Sequence, residues 1–179
     1  MFPHAGTDCH EHQFVSHRDT FARTPAIEIG GRRVLELAGV GIDDVSIIDL
    51  YSCFPAAVQL GAQSLGIDLA TRQWSRTGGM TFAGGPWNNY VMHAIATMVS
   101  ELRAQPGQYG LVWANGGYAT KHAFGVYSTI STCRNIPPPW RRNTRSTSLG
   151  RSRRGFLLTR AISSLVAVLL LRQIIRPIS

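Results

Sequence analysis

The chain has 179 residues, of which 44% are hydrophobic and 16% are charged. These values are typical of one globular domain, and they exclude a collagen-like chain, a fully disordered chain and a protein with many membrane spans. The net charge of +8 is uneven, because residues 1–130 carry eight basic and ten acidic side chains, a net −2, whereas residues 131–179 carry ten arginines and no acidic residue. The sequence therefore predicts one domain at 1–130 and a basic tail at 131–179 that is not a folded domain.

The first half of the domain alternates between helix and strand. Residues 1–20 show no hydrophobic period, which predicts a loop or an extended arm. A partial helical period follows from Pro25 to a stop at Gly39, although two adjacent glycines weaken this helix. The β-branched run at 45–51 predicts a buried strand, and a helix is expected at 55–65.

The second half begins with a glycine-rich segment, RTGGMTFAGGPWNNY. Apolar residues then recur at helical spacing, with Asn88 or Asn89 as the N-cap and Pro106 beyond the end. Two apolar strands are predicted at 109–117 and 123–129, separated by a glycine turn. The order of helices and strands predicts an α/β layered fold with a mixed sheet and helices on both faces.

The cysteines and the first residues indicate the cellular compartment of the protein. Cys9, Cys53 and Cys133 form no C-x-x-C pair, and the first residues lack the charged start and apolar run of a secretory signal. We therefore expect a cytoplasmic protein with reduced thiols. His10 and His12 lie in a histidine-rich stretch, but they would face opposite sides of a strand and no second ligand cluster answers them, so no metal site is expected.

The first candidate for chemistry is the junction DLYSCFPA, where a strand gives way to a helix. Ligands of α/β proteins usually bind at the carboxyl ends of the strands. A thiol at the start of a helix is activated because the free N–H groups and the helix dipole favour the thiolate. Cys53 is therefore a candidate reactive thiol. The alternative is that Cys53 is a small buried hydrophobic residue.

Two glycine-containing segments are further candidates. The glycines at 78–85 would let the backbone approach a ligand at the start of a helix, although the segment lacks the spacing of a phosphate-binding loop. Asn115, Lys121 and His122 surround a glycine turn between two strands, and histidine is the side chain most easily recruited as a base at neutral pH. The alternatives are a tolerant loop and a solvated surface turn.

Together these three motifs resemble the carboxyl-terminal half of thiolase-superfamily proteins, and most of all the thiolase-like, acetyl-CoA acetyltransferase-type proteins of actinobacteria. The resemblance covers about residues 1–129. It implies about one βαβαβαββ half of a duplicated layered fold, with acyl-CoA thioesters as substrates and no permanently bound cofactor. It also implies acyl transfer between CoA and a carbon acceptor, through a nucleophilic Cys and oxyanion holes.

The resemblance places site residues here and marks three departures. Tyr51 occupies the position of a His that holds an oxyanion-hole water. The family's Gly-His-Pro motif corresponds to Gly84, Gly85 and Pro86, so a glycine replaces the His that activates the nucleophile. The family's last acid/base motif falls near Asn115, Gly116 and Gly117, where no Cys is present and His122 is the nearest substitute base.

The resemblance therefore implies a fragment of a thiolase-like acyltransferase that is inactive alone, because the acylated Cys belongs to the amino-terminal half. The alternative is a non-catalytic acyl-CoA-binding or scaffold subunit that pairs with a second thiolase-like chain or with a second copy of itself. The substrate class indicates a role in lipid metabolism. Tyr51, Cys53 and His122 are the catalytic candidates.

The tail allows a third interpretation, a basic membrane-associated protein. Its apolar run at 161–171 is too short to cross ~30 Å of hydrocarbon, and its arginine-rich part has little aromatic interleaving. We therefore expect neither a membrane nor a nucleic-acid partner. A segment without acidic residues after the end of the resemblance is typical of translation in a shifted frame.

Overall fold

The computed structural model describes residues 1–131, and the expectations for the rest of the tail lie outside this range. Four strands, four helices and two short 3-10 turns follow one another in the described part. The strands are β1 (Phe2–His10), β2 (Val45–Asp49), β3 (Tyr109–Gly116) and β4 (Lys121–Ser128); the helices are α1 (Pro25–Ala38), α2 (Pro55–Leu65), α3 (Met80–Ala83) and α4 (Tyr90–Ala104); the 3-10 turns are Val15–His17 and Trp87–Asn89.

The strands form one mixed sheet in the order β1-β4-β3-β2. β2 and β3 are parallel, whereas β4 runs antiparallel to both of its neighbours. The carboxyl ends of β2 and β3 and the start of β4 therefore meet at one edge, marked by Asp49, Gly116 and Lys121. We call this edge the site edge, because all three candidate motifs adjoin it in sequence.

Helices cover both faces of the sheet, which confirms the expected α/β class. α1 and α2 pack on one face, around Trp113 and Phe124, and α4 packs on the other through Met98 and Leu102. The amphipathic periods of these helices produce this arrangement, because each helix buries a single apolar stripe. The layers are therefore helix, sheet and helix.

The predicted helices have the expected boundaries. α1 begins at Pro25 and ends where Gly39 adopts a left-handed conformation with φ of 71°. α2 begins at Pro55 and ends before Gly66, which has the same conformation. Asn89 is the N-cap of α4 as expected, but its side chain makes no capping hydrogen bond.

The strands differ from the expectations in three respects. The segment 1–20, expected to be a loop or an extended arm, contains β1, which pairs with β4 from Phe2 to His10 with an irregularity at His4. Its polar sequence hid the strand, because hydrogen bonds with β4 rather than an alternating apolar pattern hold it in place. β2 ends at Asp49, two residues earlier than predicted. The implied βαβαβαββ unit also has a strand after α2, whereas here turns and α3 follow α2.

Candidate functional site

Asp49, the last residue of β2, organises the site edge. The residue is fully buried. Its Oδ2 accepts hydrogen bonds from the Ser75 hydroxyl at 3.1 Å, from the Arg76 amide at 2.9 Å and from the Thr77 amide at 3.2 Å. Its Oδ1 accepts one from the Tyr90 hydroxyl at 3.2 Å. A buried carboxylate needs such donors to offset its lost hydration, so Asp49 fixes the segment that precedes the glycines.

The glycine segment is attached to the strand end through Ser52. The Met80 amide, at the start of α3, donates to Ser52 Oγ at 2.9 Å. Gly79 has φ of 82°, and a Cβ at this position would lie 2.9 Å from Ser52 Oγ. Both the conformation and the close contact therefore require glycine here. The first and second candidate motifs are neighbours in space.

Cys53 lies just before α2, whose N-cap is Phe54, and the residue is partly buried. Asn115, at the end of β3, donates from Nδ2 to Cys53 Sγ at 3.7 Å. Burial, and after it the charge of the neighbouring Cys53, raises the pKa of the Tyr51 hydroxyl above its ordinary value. Tyr51 therefore remains protonated at neutral pH, and its ring contacts Tyr90 edge-on at 5.3 Å. The first and third motifs meet at the Cys53–Asn115 contact.

His122 pairs with Asn115 across β3 and β4 and is buried beneath Trp113, with ring centroids 5.8 Å apart. Its Nε2 lies 3.1 Å from the Ala119 carbonyl oxygen, which accepts only, so Nε2 carries the proton. Nδ1 is then an acceptor, and it has no partner among the described residues. Burial, which outweighs the hydrogen bond to Ala119, lowers the pKa of His122 from 6.5 to about 4. His122 is therefore neutral at pH 7.

The buried neutral His122 predicts a loss of stability in acid. The unfolded chain binds this proton below pH 6.5, whereas the folded chain binds it only near pH 4. The free energy of unfolding should therefore fall between these values by up to about 1.4 kcal/mol per pH unit. Urea unfolding at several pH values gives the free energy of unfolding as a function of pH. This free energy should depend less steeply on pH in His122→Gln than in the exposed control His12→Gln. Equal slopes in the two variants would contradict the assignment.

Other predicted site residues lie apart from this cluster. Gly84, Gly85 and Pro86 connect α3 to the following 3-10 turn, and no hydrogen bond within the described range joins them to Cys53 or His122. Lys121 is exposed at the start of β4. The sequence motifs did not include the largest polar group of the site, which comprises Asp49, Ser75, Thr77 and Tyr90. An aspartate at the end of a mainly apolar strand was the available signal.

Within residues 1–131, no group of three or more His, Cys, Asp or Glu side chains is placed to hold a metal ion. In the same range no helix has the length and apolarity that a membrane crossing needs. The apolar run of the tail lies outside the described residues. Neither observation concerns residues 132–179.

Comparison with known proteins relates this chain to a solved fold. It aligns with a monomeric SCP2-thiolase like protein type 1 from Mycobacterium smegmatis at 40% sequence identity and a TM-score of 0.69. The alignment covers 73% of this chain and 29% of that protein, so the chain spans less than a third of its relative. No protein-family model matches, and no curated protein matches. The described part of the chain therefore has an SCP2-thiolase-like fold.

Proposed function

We propose that this chain is a portion of a thiolase-like protein, from the carboxyl-terminal half of the family's fold, and that its site edge binds acyl-CoA thioesters. One observation carries the proposal: Tyr51 and Cys53 lie at the same edge as the glycine segment and Asn115, through the Ser52–Met80 and Cys53–Asn115 contacts. The similarity to the Mycobacterium smegmatis protein supports the family assignment. Such a function belongs to cytoplasmic lipid metabolism.

The same residues argue against carbon–carbon bond chemistry by this chain alone. Gly85 has no side chain that donates a hydrogen bond to a thioester oxygen or removes a proton. Asn115 replaces the acid/base expected at the end of β3, and an amide is too weak an acid and too weak a base to serve in that role at neutral pH. His122 is buried, and its pKa of about 4 makes it a weak base. We therefore propose acyl-CoA binding without thiolytic cleavage of 3-ketoacyl-CoA.

The experiment is a pair of measurements on the full chain. Titration calorimetry should detect binding of a thioether analogue of acetyl-CoA, which cannot transfer an acyl group. An assay with acetoacetyl-CoA and CoA should show no thiolytic cleavage. Absence of binding would refute the ligand class, and cleavage at a rate above buffer would refute the inactivity.

The stability of a Gly85 variant tests whether the fold still has room for the histidine that the resemblance implies at this position. A Cβ at Gly85 would contact only the Met80 methyl group, at 3.5 Å, which is an ordinary van der Waals distance. Gly85→His should therefore change the free energy of unfolding by less than about 1 kcal/mol. The control Gly79→His should cost more, because Gly79 has φ of 82° and Ser52 occupies the space. Thermal melts of the two variants give the comparison, and equal losses would contradict it.

A second candidate is a scaffold subunit that pairs with another thiolase-like chain. Four large aromatic side chains near the site edge are exposed by 68–91%. Isolated exposed aromatics are common, but a group beside one edge is typical of a protein interface. The residues are Phe54, Phe82, Trp87 and Tyr118. Sedimentation of the chain with and without a co-expressed amino-terminal thiolase half would distinguish a heteromeric complex from a homodimer and from a monomer.

A further inference from the structure

We propose that Cys53 is a nucleophilic thiol that accepts an acyl group from a CoA thioester. This inference rests on the proposed acyl-CoA binding and assigns a chemical step to it. The resemblance places the acylated Cys of the family in its other half, so acylation of Cys53 would be a property of this chain's own site.

Two features of the surroundings of Cys53 suit a nucleophilic thiol. Asn115 Nδ2 points an N–H at Sγ from 3.7 Å, and hydrogen-bond donors stabilise the charged form of a thiol. Cys53 also immediately precedes Phe54, the N-cap of the eleven-residue helix α2, where the helix dipole favours negative charge. Cys53 is only partly buried, as access by an electrophile requires.

A second observation points to a ligand beside this thiol. The side-chain oxygen of Asn115 is buried and has no partner in the described part of the chain, and the same is true of His122 Nδ1. Both atoms are acceptors, since Asn115 uses its amide N–H toward Cys53 and His122 is protonated at Nε2. The two residues face each other across β3 and β4. Burying unpaired acceptors is costly, so this pair suits a ligand that brings a hydrogen-bond donor.

An acyl-CoA thioester supplies such a donor. The cysteamine part of CoA carries an amide N–H two carbons from the thioester sulfur. An acyl group presented to Cys53 would therefore bring this N–H close to the thiol and to Asn115, whose side chain contacts Sγ. The site accordingly favours a pantetheine thioester over an acyl ester that has no amide beside its leaving group.

The proposed step balances as a transthioesterification. The Cys53 thiol releases its proton to solvent, and Sγ attacks the thioester carbonyl carbon. A new carbon–sulfur bond forms at Sγ, while the bond between that carbon and the CoA sulfur breaks. The CoA thiolate leaves and takes a proton from solvent. No redox change occurs, and no further reactant is needed.

Cys9 provides an internal control. Its thiol donates to the Ala26 carbonyl at 2.8 Å, and burial together with the charges of Asp8 and Glu11 raises its pKa to about 11. At neutral pH it is therefore an unreactive thiol. The two cysteines lie on the same domain and see the same electrophile, so a difference in their acylation reflects their surroundings.

The test uses the full chain with Cys133→Ser, so that Cys9 and Cys53 are the remaining thiols. After incubation with acetyl-CoA, peptide mapping by mass spectrometry should find one acetyl group on Cys53 and none on Cys9. Cys53→Ser should abolish the label, whereas Cys9→Ser should retain it. No acetylation, or acetylation of Cys9 at the same rate, would overturn the proposal.

The role of Asn115 is tested separately. Asn115→Leu and the similarly shaped Asn115→Asp both remove the amide donor, and either should slow acetylation of Cys53 about tenfold. Far-UV circular dichroism melts identify whichever variant is folded, and an unchanged rate in a folded variant would overturn the role. Binding of the thioether analogue without acetylation by acetyl-CoA would refute this inference alone. Absence of analogue binding would refute the proposed function as well.

Discussion

Asp49→Ala is expected to destabilise the domain by at least about 3 kcal/mol, because it leaves several buried donors without an acceptor. The hydroxyls of Ser75 and Tyr90 and the amides of Arg76 and Thr77 all point at this one carboxylate. Each group would either lose its hydrogen bond or rearrange to find water. The expected result is a lower urea midpoint with an unchanged dependence on urea concentration.

The matched control is Asp43→Ala, which removes an exposed carboxylate in the connection between α1 and β2. Its effect should stay within about 0.5 kcal/mol. The loss of stability in Asp49→Asn should fall between those of the other two variants. An amide keeps one acceptor oxygen, but its NH2 group would face the donors that Asp49 now binds. Equal stability of Asp49→Ala and Asp43→Ala would show that the network contributes nothing to the free energy of unfolding.

The acetylation of Cys53 should also slow in a folded Asp49→Asn chain, since Ser52 and the glycine segment would shift.

Trp113→Ala is the second large effect, with an expected loss of about 3–5 kcal/mol. The indole is 1% exposed and stacks on both His122 and Phe124. It also fills the space above Gly61 of α2, where a Cβ would overlap the ring. Truncation therefore leaves a cavity between α2 and the sheet that the backbone cannot readily close.

Trp87→Ala is the same substitution at a residue that is 91% exposed. Denaturant unfolding should show little change for it, and the difference between the two variants isolates the packing of Trp113. Trp113→Phe should recover part of the loss, because a smaller ring still stacks on its neighbours. A Trp113→Ala chain as stable as Trp87→Ala would refute the assigned core.

Local signals in the sequence were sufficient to predict where α1 and α2 begin and end. Pro25 and Gly39 bracket α1, and Pro55 and Gly66 bracket α2, each for reasons of backbone conformation that act within a few residues. The two adjacent glycines weakened the prediction of α1, because the contacts that they make with other elements cannot be read from the sequence around them. Gly30 lies against Cys9 and Phe124, so a side chain there would prevent α1 from docking.

The long-range parts of the site were not predictable in the same way. The contact of Cys53 with Asn115 spans 62 residues and depends on the alignment of β3 beside β2. No local pattern fixes that alignment. Likewise β1 has a polar sequence, and only its pairing with β4 makes it a strand. Asp49 could be recognised as buried from the strand around it, but its donors from the segment 75–77 could not.

The pairing of β1 with β4 also constrains how the domain forms during translation. The first strand has no hydrogen-bonded neighbour other than β4 in the described sheet, and 110 residues separate His10 from Lys121. At about 5–20 residues per second, a ribosome needs roughly 6–22 s to synthesise that interval. During this time β1 remains unpaired. α1 also lacks β4, whose Phe124 lies against Gly30 and Gly31 in the folded domain. The domain therefore completes its sheet only after β4 has left the ribosome.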